Sequence, residues 1–169
     1  MYSFKFRNNV KLTFIKEGYF SLYKSIFENV NGISIIYEGN PVKFGLMLLN
    51  CQFLNSGNID LEHKNIHRPL TMSIPIKYSF LKCKITNNPP KINIDYVLKD
   101  RNTIEFKWDL LKSKEYFSFD ILIDMNIDNN NSEITEDNIN NHIEKLIKSI
   151  SFERRITNLS EIKMIEYKE

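Results

Sequence analysis

The sequence contains no alanine among its 169 residues, and it has only five glycines and five prolines. Alanine has the highest helix propensity of all residues, so its absence disfavours a mainly helical fold. Isoleucine and aromatic residues are abundant instead, with 12 phenylalanines and 8 tyrosines. These residues favour strands, and the composition therefore indicates a mainly β protein.

Long apolar runs and a surplus of one charge are also missing. No window reaches the roughly 18 apolar residues that a transmembrane helix requires, and the first residues lack the pattern of a secretory signal. The net charge of +2 is too small for a typical binder of nucleic acid duplexes. We therefore expect either a cytoplasmic protein, which could associate with a membrane through a partner, or the soluble part of a longer protein.

Cysteine is scarce, because only Cys51 and Cys83 are present. Two cysteines do not form a disulfide scaffold in a chain of this size. Both lie in strand-like segments, so we expect two buried free thiols in a reducing compartment, with a bridge between packed strands as the alternative. A chain of this length normally buries its own core, and we expect residues 1–169 to form a single domain.

Alternation of apolar and polar residues predicts most of the strands. The segment 42–54 alternates first and then becomes apolar on both faces, which is typical of a strand in the middle of a sheet covered on both sides. The clearest alternation occurs at 92–96, 104–108 and 117–123. Further strands are expected at 10–14 with Gly18 as the end, 33–37, 72–76, 80–85, 150–156 and 162–167.

Turn residues separate these strands. Asn31-Gly32 and the residues 38–41 predict two turns, the second closing a hairpin. The segment 19–30 fits either a short helix or an irregular edge element. The segment 55–69 is polar and loop-like, and Pro75 restricts the strand near it to an edge or a bulge. The asparagine-rich segment 126–133 predicts a solvated loop.

Two packing predictions follow from the periodicity. Strands 103–108 and 115–123 are expected to be adjacent and to place Phe106, Trp108, Phe117, Phe119 and Ile121 in the core. Residues 136–149 are expected to form an amphipathic helix that covers an open end or an edge. Its apolar stripe consists of Ile139, Ile143, Leu146, Ile147 and Ile150.

About eight to ten short strands joined by Asn, Gly and Pro turns indicate an antiparallel β-sandwich or barrel. Several strings then resemble a bacterial immunoglobulin-like β-sandwich domain: IIYEG, LNSGNIDLEHKNIHRPLTMSIP, FKWDLLKSKEYFSFDILI and ERRITNLSEI. The residues that match its turn and strand patterns are Asn55, Gly57, Ile59, Ile66, Pro69, Leu70, Arg155 and Ile156.

The resemblance covers most of residues 33–165. It implies an antiparallel immunoglobulin-like β-sandwich, here with one helix in the C-terminal region. Such domains are similar to the soluble portions of poorly characterised bacterial membrane-associated proteins, some of them linked to phage defence. The resemblance implies no catalytic residues.

The first candidate site is the segment containing His63, His67 and Arg68. On a helix, histidines four apart could bind zinc, but Pro69 argues against a helix and no third ligand has a suitable spacing. We therefore expect a solvated loop without metal. If this loop folds over a ligand, the two histidines and Arg68 are its polar contacts.

The second candidate site is the pair Arg154 and Arg155. Consecutive residues of a strand point to opposite faces, so one arginine faces solvent and the other needs an acid, an anion or a sheet edge. A structural salt bridge is favoured because surface ion pairs are common, and an anion site is the alternative.

Catalytic patterns are absent from the sequence. Glu105, Asp109, Glu115 and Asp120 could supply paired carboxylates, but alternation places Glu105 on a polar sheet face. The sequence has no G-x-S-x-G motif, glycine-rich phosphate loop or Cys–His arrangement. We therefore expect no enzyme, no cofactor and no metal.

The sequence thus predicts a non-enzymatic recognition or sensor module that binds a protein partner in a bacterial defence or envelope-associated system. The alternative is a sensor of a small anionic ligand, such as a nucleotide, that regulates an effector. A third expectation concerns the 136–149 helix, which would mediate self-association if its apolar stripe is not docked.

Overall fold

The computed structural model describes residues 9–22, 35–42, 45–125, 136–156, 158–159 and 161–166. The protein is mainly β, with one described helix, as the composition predicted. The elements are β1 (Leu12–Ser21), β2 (Ile35–Tyr37), β3 (Asn40–Val42), β4 (Leu46–Asn55), β5 (Leu61–Glu62), a 3₁₀ turn (His63–Asn65), β6 (Ile66–Ser73), β7 (Ser79–Asn87), β8 (Ile94–Asp100), β9 (Thr103–Trp108), β10 (Leu110–Leu111), β11 (Tyr116–Asp124), α1 (Glu136–Lys148), β12 (Ser151–Ile156) and β13 (Ile162–Glu166).

Two larger sheets contain most of the strands. The five-stranded sheet has the order β13-β1-β4-β11-β7, and the four-stranded sheet has the order β12-β6-β9-β8. Two small sheets pair β10 with β5 and β2 with β3. The pairings are antiparallel, as expected, except that β1 and β13 run parallel.

The two larger sheets face each other across an aromatic core in a sandwich-like arrangement. Phe106 of the four-stranded sheet lies 4.7 Å from Phe119 and 5.5 Å from Phe53 of the five-stranded sheet, measured between ring centroids. The five residues predicted for the core are all at most 2% exposed: Phe106, Trp108, Phe117, Phe119 and Ile121.

The predicted adjacency of the strands 103–108 and 115–123 is wrong. β9 and β11 lie in different sheets and pack face to face instead of sharing hydrogen bonds. The chain between them crosses the sandwich through β10, which pairs with β5. Alternation fixes which side chains are buried, but it does not fix the sheet to which a strand belongs.

β4 is the middle strand of its sheet, as predicted, with β1 on one side and β11 on the other. Only one of its faces is fully covered, however, so the expected burial of both faces is wrong. Met47 and Leu49 are buried, whereas Leu48 and Asn50 are half-buried on the outer face. Asn50 donates a hydrogen bond of 2.8 Å to Asp120 there, so this face combines polar and apolar side chains.

The hairpin predicted before β4 forms with a tighter turn. Glu38 and Gly39 both have positive φ, 48° and 82°, which is the conformation of a two-residue hairpin turn. Asn40 therefore already belongs to a strand and pairs with Tyr37. The predicted turn at Asn31-Gly32 and the asparagine-rich loop at 126–133 lie outside the described residues.

Two strand ends differ from the prediction. Gly18 does not end β1, because a register shift between Lys16 and Gly18 accommodates it and the strand continues to Ser21. Residues 19–21 are therefore strand and not helix, while 23–30 lie outside the described residues. In addition, β6 begins at Ile66 and ends before Pro75, so the loop expected over 55–69 contains strand residues.

The helix forms where it was expected and is docked. Ile143, Leu146, Ile147 and Ile150 are at most 6% exposed and belong to the main core. The Ile139 side chain lies outside the described part of the chain. Among the described residues, no helix combines the length and apolar character needed to cross a membrane.

Cys51 and Cys83 are buried free thiols, as predicted. Burial raises the pKa of both thiols, that of Cys83 to about 12. The neutral thiol is therefore the stable form in the core, where both side chains act as small apolar groups.

Candidate functional site

The antiparallel pairing of β6 with β12 is irregular at one place. Glu153 pairs with Thr71 and Arg155 with Arg68, and the register shifts on both sides of Arg155. Pro69 lies in β6 at this place, and proline cannot donate a backbone hydrogen bond to a neighbouring strand. Irregular pairing of this kind changes the direction of nearby side chains.

A cavity of about 650 Å³ opens at this irregularity. Its volume lies within the range of small-molecule sites. We call it the arginine cavity, and the described residues that line it are Arg68, Pro69, Thr71, Phe152, Glu153, Arg154, Ile156 and Leu159.

Charge and apolar surface lie side by side in the arginine cavity. Arg68 is exposed at its edge, and Arg154 is half-buried in β12 between Phe152 and Ile156. Phe152 packs into the core, with its ring centroid 5.0 Å from that of Phe14. The two guanidinium groups outnumber the carboxylate of Glu153, so the described lining carries a net positive charge.

The structure brings together two of the five predicted site residues. Arg68 and Arg154 line the same cavity. His63 and His67 are exposed and do not line it, and His63 is fixed by a backbone hydrogen bond of 2.8 Å to Asp109. Arg155 pairs with Arg68 through the backbone, while its side chain lies outside the described residues.

The apolar lining of the cavity was not recognised from the sequence, although a signal was present. In the segment SFERRI, strict alternation groups Arg154 with Phe152 and Ile156 on one face. A charged residue on an otherwise apolar face is the pattern that indicates a lined cavity or a sheet edge. Leu159 follows the strand and carried no such signal.

Three of the four carboxylates considered for acid–base chemistry have structural partners, among them Asp120, which accepts the hydrogen bond from Asn50. Glu105 forms an ion pair of 3.4 Å with Lys99, and Glu115 accepts a hydrogen bond of 2.8 Å from the backbone of Lys112. Within the described ranges, no group of three or more His, Cys, Asp or Glu residues is arranged to hold a metal ion.

A second polar cluster surrounds Asn55, which is 0% exposed. Its side-chain amide donates to the backbone oxygens of Ile59 and Leu111 at 2.8 and 2.9 Å, and its side-chain oxygen accepts from the N–H of Gly57 at 3.2 Å. Its backbone N–H donates to the backbone oxygen of Glu115 at 2.9 Å, and its backbone oxygen accepts from the N–H of Lys114 at 2.8 Å. We call Asn55, Gly57 and these contacts the Asn55 corner.

Gly57 closes the Asn55 corner against the start of β1. Its N–H donates to the backbone oxygen of Lys11, the residue before β1, at 3.2 Å. A Cβ atom at this position would overlap the backbone oxygen of Asn9 and lie 2.7 Å from the backbone nitrogen of Lys11. The Asn-x-Gly turn is therefore a structural element that joins β1, β4 and the segment before β11.

Comparison with known proteins gives no relative: no family model, no curated protein and no solved structure matches the chain.

Proposed function

We propose that the protein is a non-enzymatic recognition module whose arginine cavity binds a ligand with an anionic group. The observation that supports this is the convergence of Arg68 and Arg154, from two paired strands, on one cavity of about 650 Å³. Guanidinium groups bind phosphate and carboxylate oxygens through pairs of parallel hydrogen bonds. Two of them at one cavity favour a phosphate or carboxylate over a neutral ligand.

The remaining lining narrows the class of ligand. Phe152, Ile156 and Leu159 provide apolar surface beside the charges, which suits a ligand with an apolar or planar part attached to its anionic group. Glu153 and the hydroxyl of Thr71 supply hydrogen-bond acceptors for a ligand hydroxyl or amine. A nucleotide or a similar phosphorylated metabolite combines these features.

Two features support recognition instead of catalysis. The described lining of the cavity includes no histidine or cysteine that could act as a base or nucleophile. The resemblance to bacterial immunoglobulin-like domains likewise implies no catalytic residues. We place the module in a bacterial defence or envelope-associated system, where ligand binding would regulate an effector or partner protein.

A thermal-shift experiment tests the ligand proposal. Inorganic phosphate and a panel of nucleotides are added to the protein, and the unfolding temperature is measured. A ligand that binds only the folded state stabilises it by about 2.7 kcal/mol at 100 times its dissociation constant. We expect a rise in unfolding temperature for at least one phosphate-bearing compound, and a smaller rise at high salt because charges are screened.

Two variants and a control assign that response to the cavity. Arg68→Gln and Arg154→Gln each remove one guanidinium group, and both should abolish the shift. Arg101→Gln changes an exposed arginine of the β8–β9 turn and should leave it intact. A shift that survives both cavity substitutions, or no shift with any phosphate or nucleotide, contradicts the proposal.

A further inference from the structure

β8 forms one end of the four-stranded sheet. In the described part of the chain no strand pairs with the edge of β8 opposite β9, so the backbone groups along that edge are available for another strand. Residues 97–100 are all exposed, and Val97 and Leu98 are 45% and 37% exposed. Exposed apolar residues on a free strand edge are the features that favour the addition of a further strand.

The side chains of β8 form two sets. Asp95 and Val97 are paired with Lys107 and Glu105 of β9 on the outer face. Lys99 belongs to the same face because its ammonium group lies 3.4 Å from Glu105. Along this face the strand therefore presents an acid, an apolar residue and a base in that order.

Tyr96 and Leu98 form the other set. They are paired with Phe106 and Ile104, which are fully buried, so they point toward the core side of the sheet. The hydroxyl of Tyr96 donates a hydrogen bond of 2.5 Å to the backbone oxygen of Cys83 in β7. This contact fixes the position of β8 against the opposite sheet and keeps its edge in place.

We infer that two copies of this chain pair through β8, antiparallel and centred on Val97. This register places Val97 opposite Val97 of the second copy. It also places Asp95 opposite Lys99 of the second copy, and Lys99 opposite its Asp95, so both charged pairs are complementary. On the core side, Tyr96 of each copy lies opposite Leu98 of the other copy, so the apolar side chains of the two strands form one surface.

Charge favours β8 over β7 as the pairing edge. On β7, one of the two end strands of the five-stranded sheet, Lys82 and Lys84 are both exposed. The equivalent pairing about Cys83 would place lysine opposite lysine twice, which is destabilising. Lysines on an end strand are a common protection against strand addition. β8 instead carries a self-complementary pair of opposite charges.

The resulting dimer contains one continuous sheet made of the two four-stranded sheets. Its symmetry is that of an isologous pair, in which each contact between two different residues occurs twice and the contact of Val97 with its copy lies on the axis. The pairing of β8 with β9 shifts its register between Leu98 and Asp100. This irregularity limits the length of β8 that can pair with a second copy. The contact is therefore small, and we expect a weak and salt-sensitive dimer.

Sedimentation velocity with charge-reversal variants tests this inference. The native protein should dimerise with increasing concentration at low salt. Asp95→Lys makes both outer-face positions of β8, 95 and 99, basic, and Lys99→Asp makes both acidic, so each variant repels its own copies. We expect each to raise the dissociation constant on the order of tenfold, the equivalent of about 1.4 kcal/mol. Lys148→Asp, on the exposed face of α1, is the control and should not change the dimer.

Mixing the two single variants gives the decisive result, because an acidic β8 then faces a basic one. We expect dimers to return in the equimolar mixture, and also in the double variant Asp95→Lys with Lys99→Asp. Circular dichroism checks that each variant is folded. A native protein that stays monomeric up to about 1 mM, the limit of a weak interface, overturns the inference. Folded single variants that remain monomeric when mixed do so as well. Neither outcome depends on ligand binding to the arginine cavity.

Discussion

Asn55 of the Asn55 corner and Arg68 of the arginine cavity both belong to the segment 55–69, which the sequence predicted to be polar and loop-like, yet their side chains are used differently. Asn55 is completely buried, and its side chain and backbone form five hydrogen bonds to fixed backbone groups. Arg68, 13 residues later in the chain, is exposed at the edge of a cavity that also contains Arg154.

The difference shows how to separate polar residues that maintain the fold from those available for recognition. A buried polar side chain needs a hydrogen-bond partner for each of its groups, because an unpaired buried group costs about 1–3 kcal/mol. An exposed arginine at a cavity has no such requirement and can bind a ligand. We therefore expect substitutions in the two regions to affect different measurements.

Asn55→Ala should have the largest effect on stability. It removes the side-chain partners of Ile59, Leu111 and Gly57, and unpaired groups in a buried position are costly. We expect a loss of about 3–5 kcal/mol in the free energy of unfolding, measured by urea denaturation. Asn88→Ala is the matched control, because the exposed Asn88 side chain also bonds a backbone oxygen, that of Ile92, at 2.7 Å. Equal losses for both variants would contradict the structural role of the corner.

Ile143→Ala provides an apolar reference for the comparison. Ile143 is 1% exposed in the main core, and truncation of such a residue costs about 2–5 kcal/mol. Glu144→Ala, next to it on the exposed side, should cost only about 0.5 kcal/mol, the value of its ion pair with Lys148. If Ile143→Ala leaves stability unchanged but weakens self-association, the helix and not β8 mediates dimerisation.

Gly57→Ala tests the close contact in the Asn55 corner. The added Cβ would overlap backbone atoms of Asn9 and Lys11, which cannot move without disturbing β1. We expect a loss of about 1–3 kcal/mol, as for other overpacked sites. Gly18→Ala is the control, since a Cβ there meets only the Asn50 side chain at an ordinary 3.9 Å. A loss at Gly18 equal to that at Gly57 would show that the close contact is not the cause.

Arg68→Lys should have the smallest effect on stability and still affect recognition. Surface substitutions usually change stability by less than about 0.5 kcal/mol. Lysine keeps the positive charge but lacks the planar group that binds phosphate through two bonds. We therefore expect an unchanged urea midpoint together with a reduced thermal shift by the phosphate ligand. A shift equal to that of the native protein would mean that charge alone is recognised.

The sequence identified the core residues of β9 and β11 because period-2 alternation is a local signal. It did not identify the crossing between the two sheets, which depends on β5 and β10. These strands have two residues each, too few for any periodicity to be visible. The turn of the hairpin before β4 was predicted two residues too long, because Asn40 and Pro41 resemble turn residues although they lie in β3.

The candidate site was recognised only in part for a similar reason. Alternation can reveal Arg154 as a charged residue on an apolar strand face, whereas Arg68 is exposed in a polar segment. Their meeting requires the pairing of β6 with β12, strands that are far apart in the chain, and local patterns do not encode that pairing. His63 and His67 were grouped with Arg68 because of their nearness in sequence, but the 3₁₀ turn and the start of β6 direct them away from the cavity lining.

The parallel pairing of β1 with β13 has a consequence for how the protein folds. The ion pair between Lys16 and Glu166 joins residues 150 positions apart, and contacts of such separation close large loops and slow folding. We expect β13 to join its sheet late, after the folding transition state. Destabilising substitutions in β13 should then accelerate unfolding and leave the refolding rate nearly unchanged, which stopped-flow kinetics can measure.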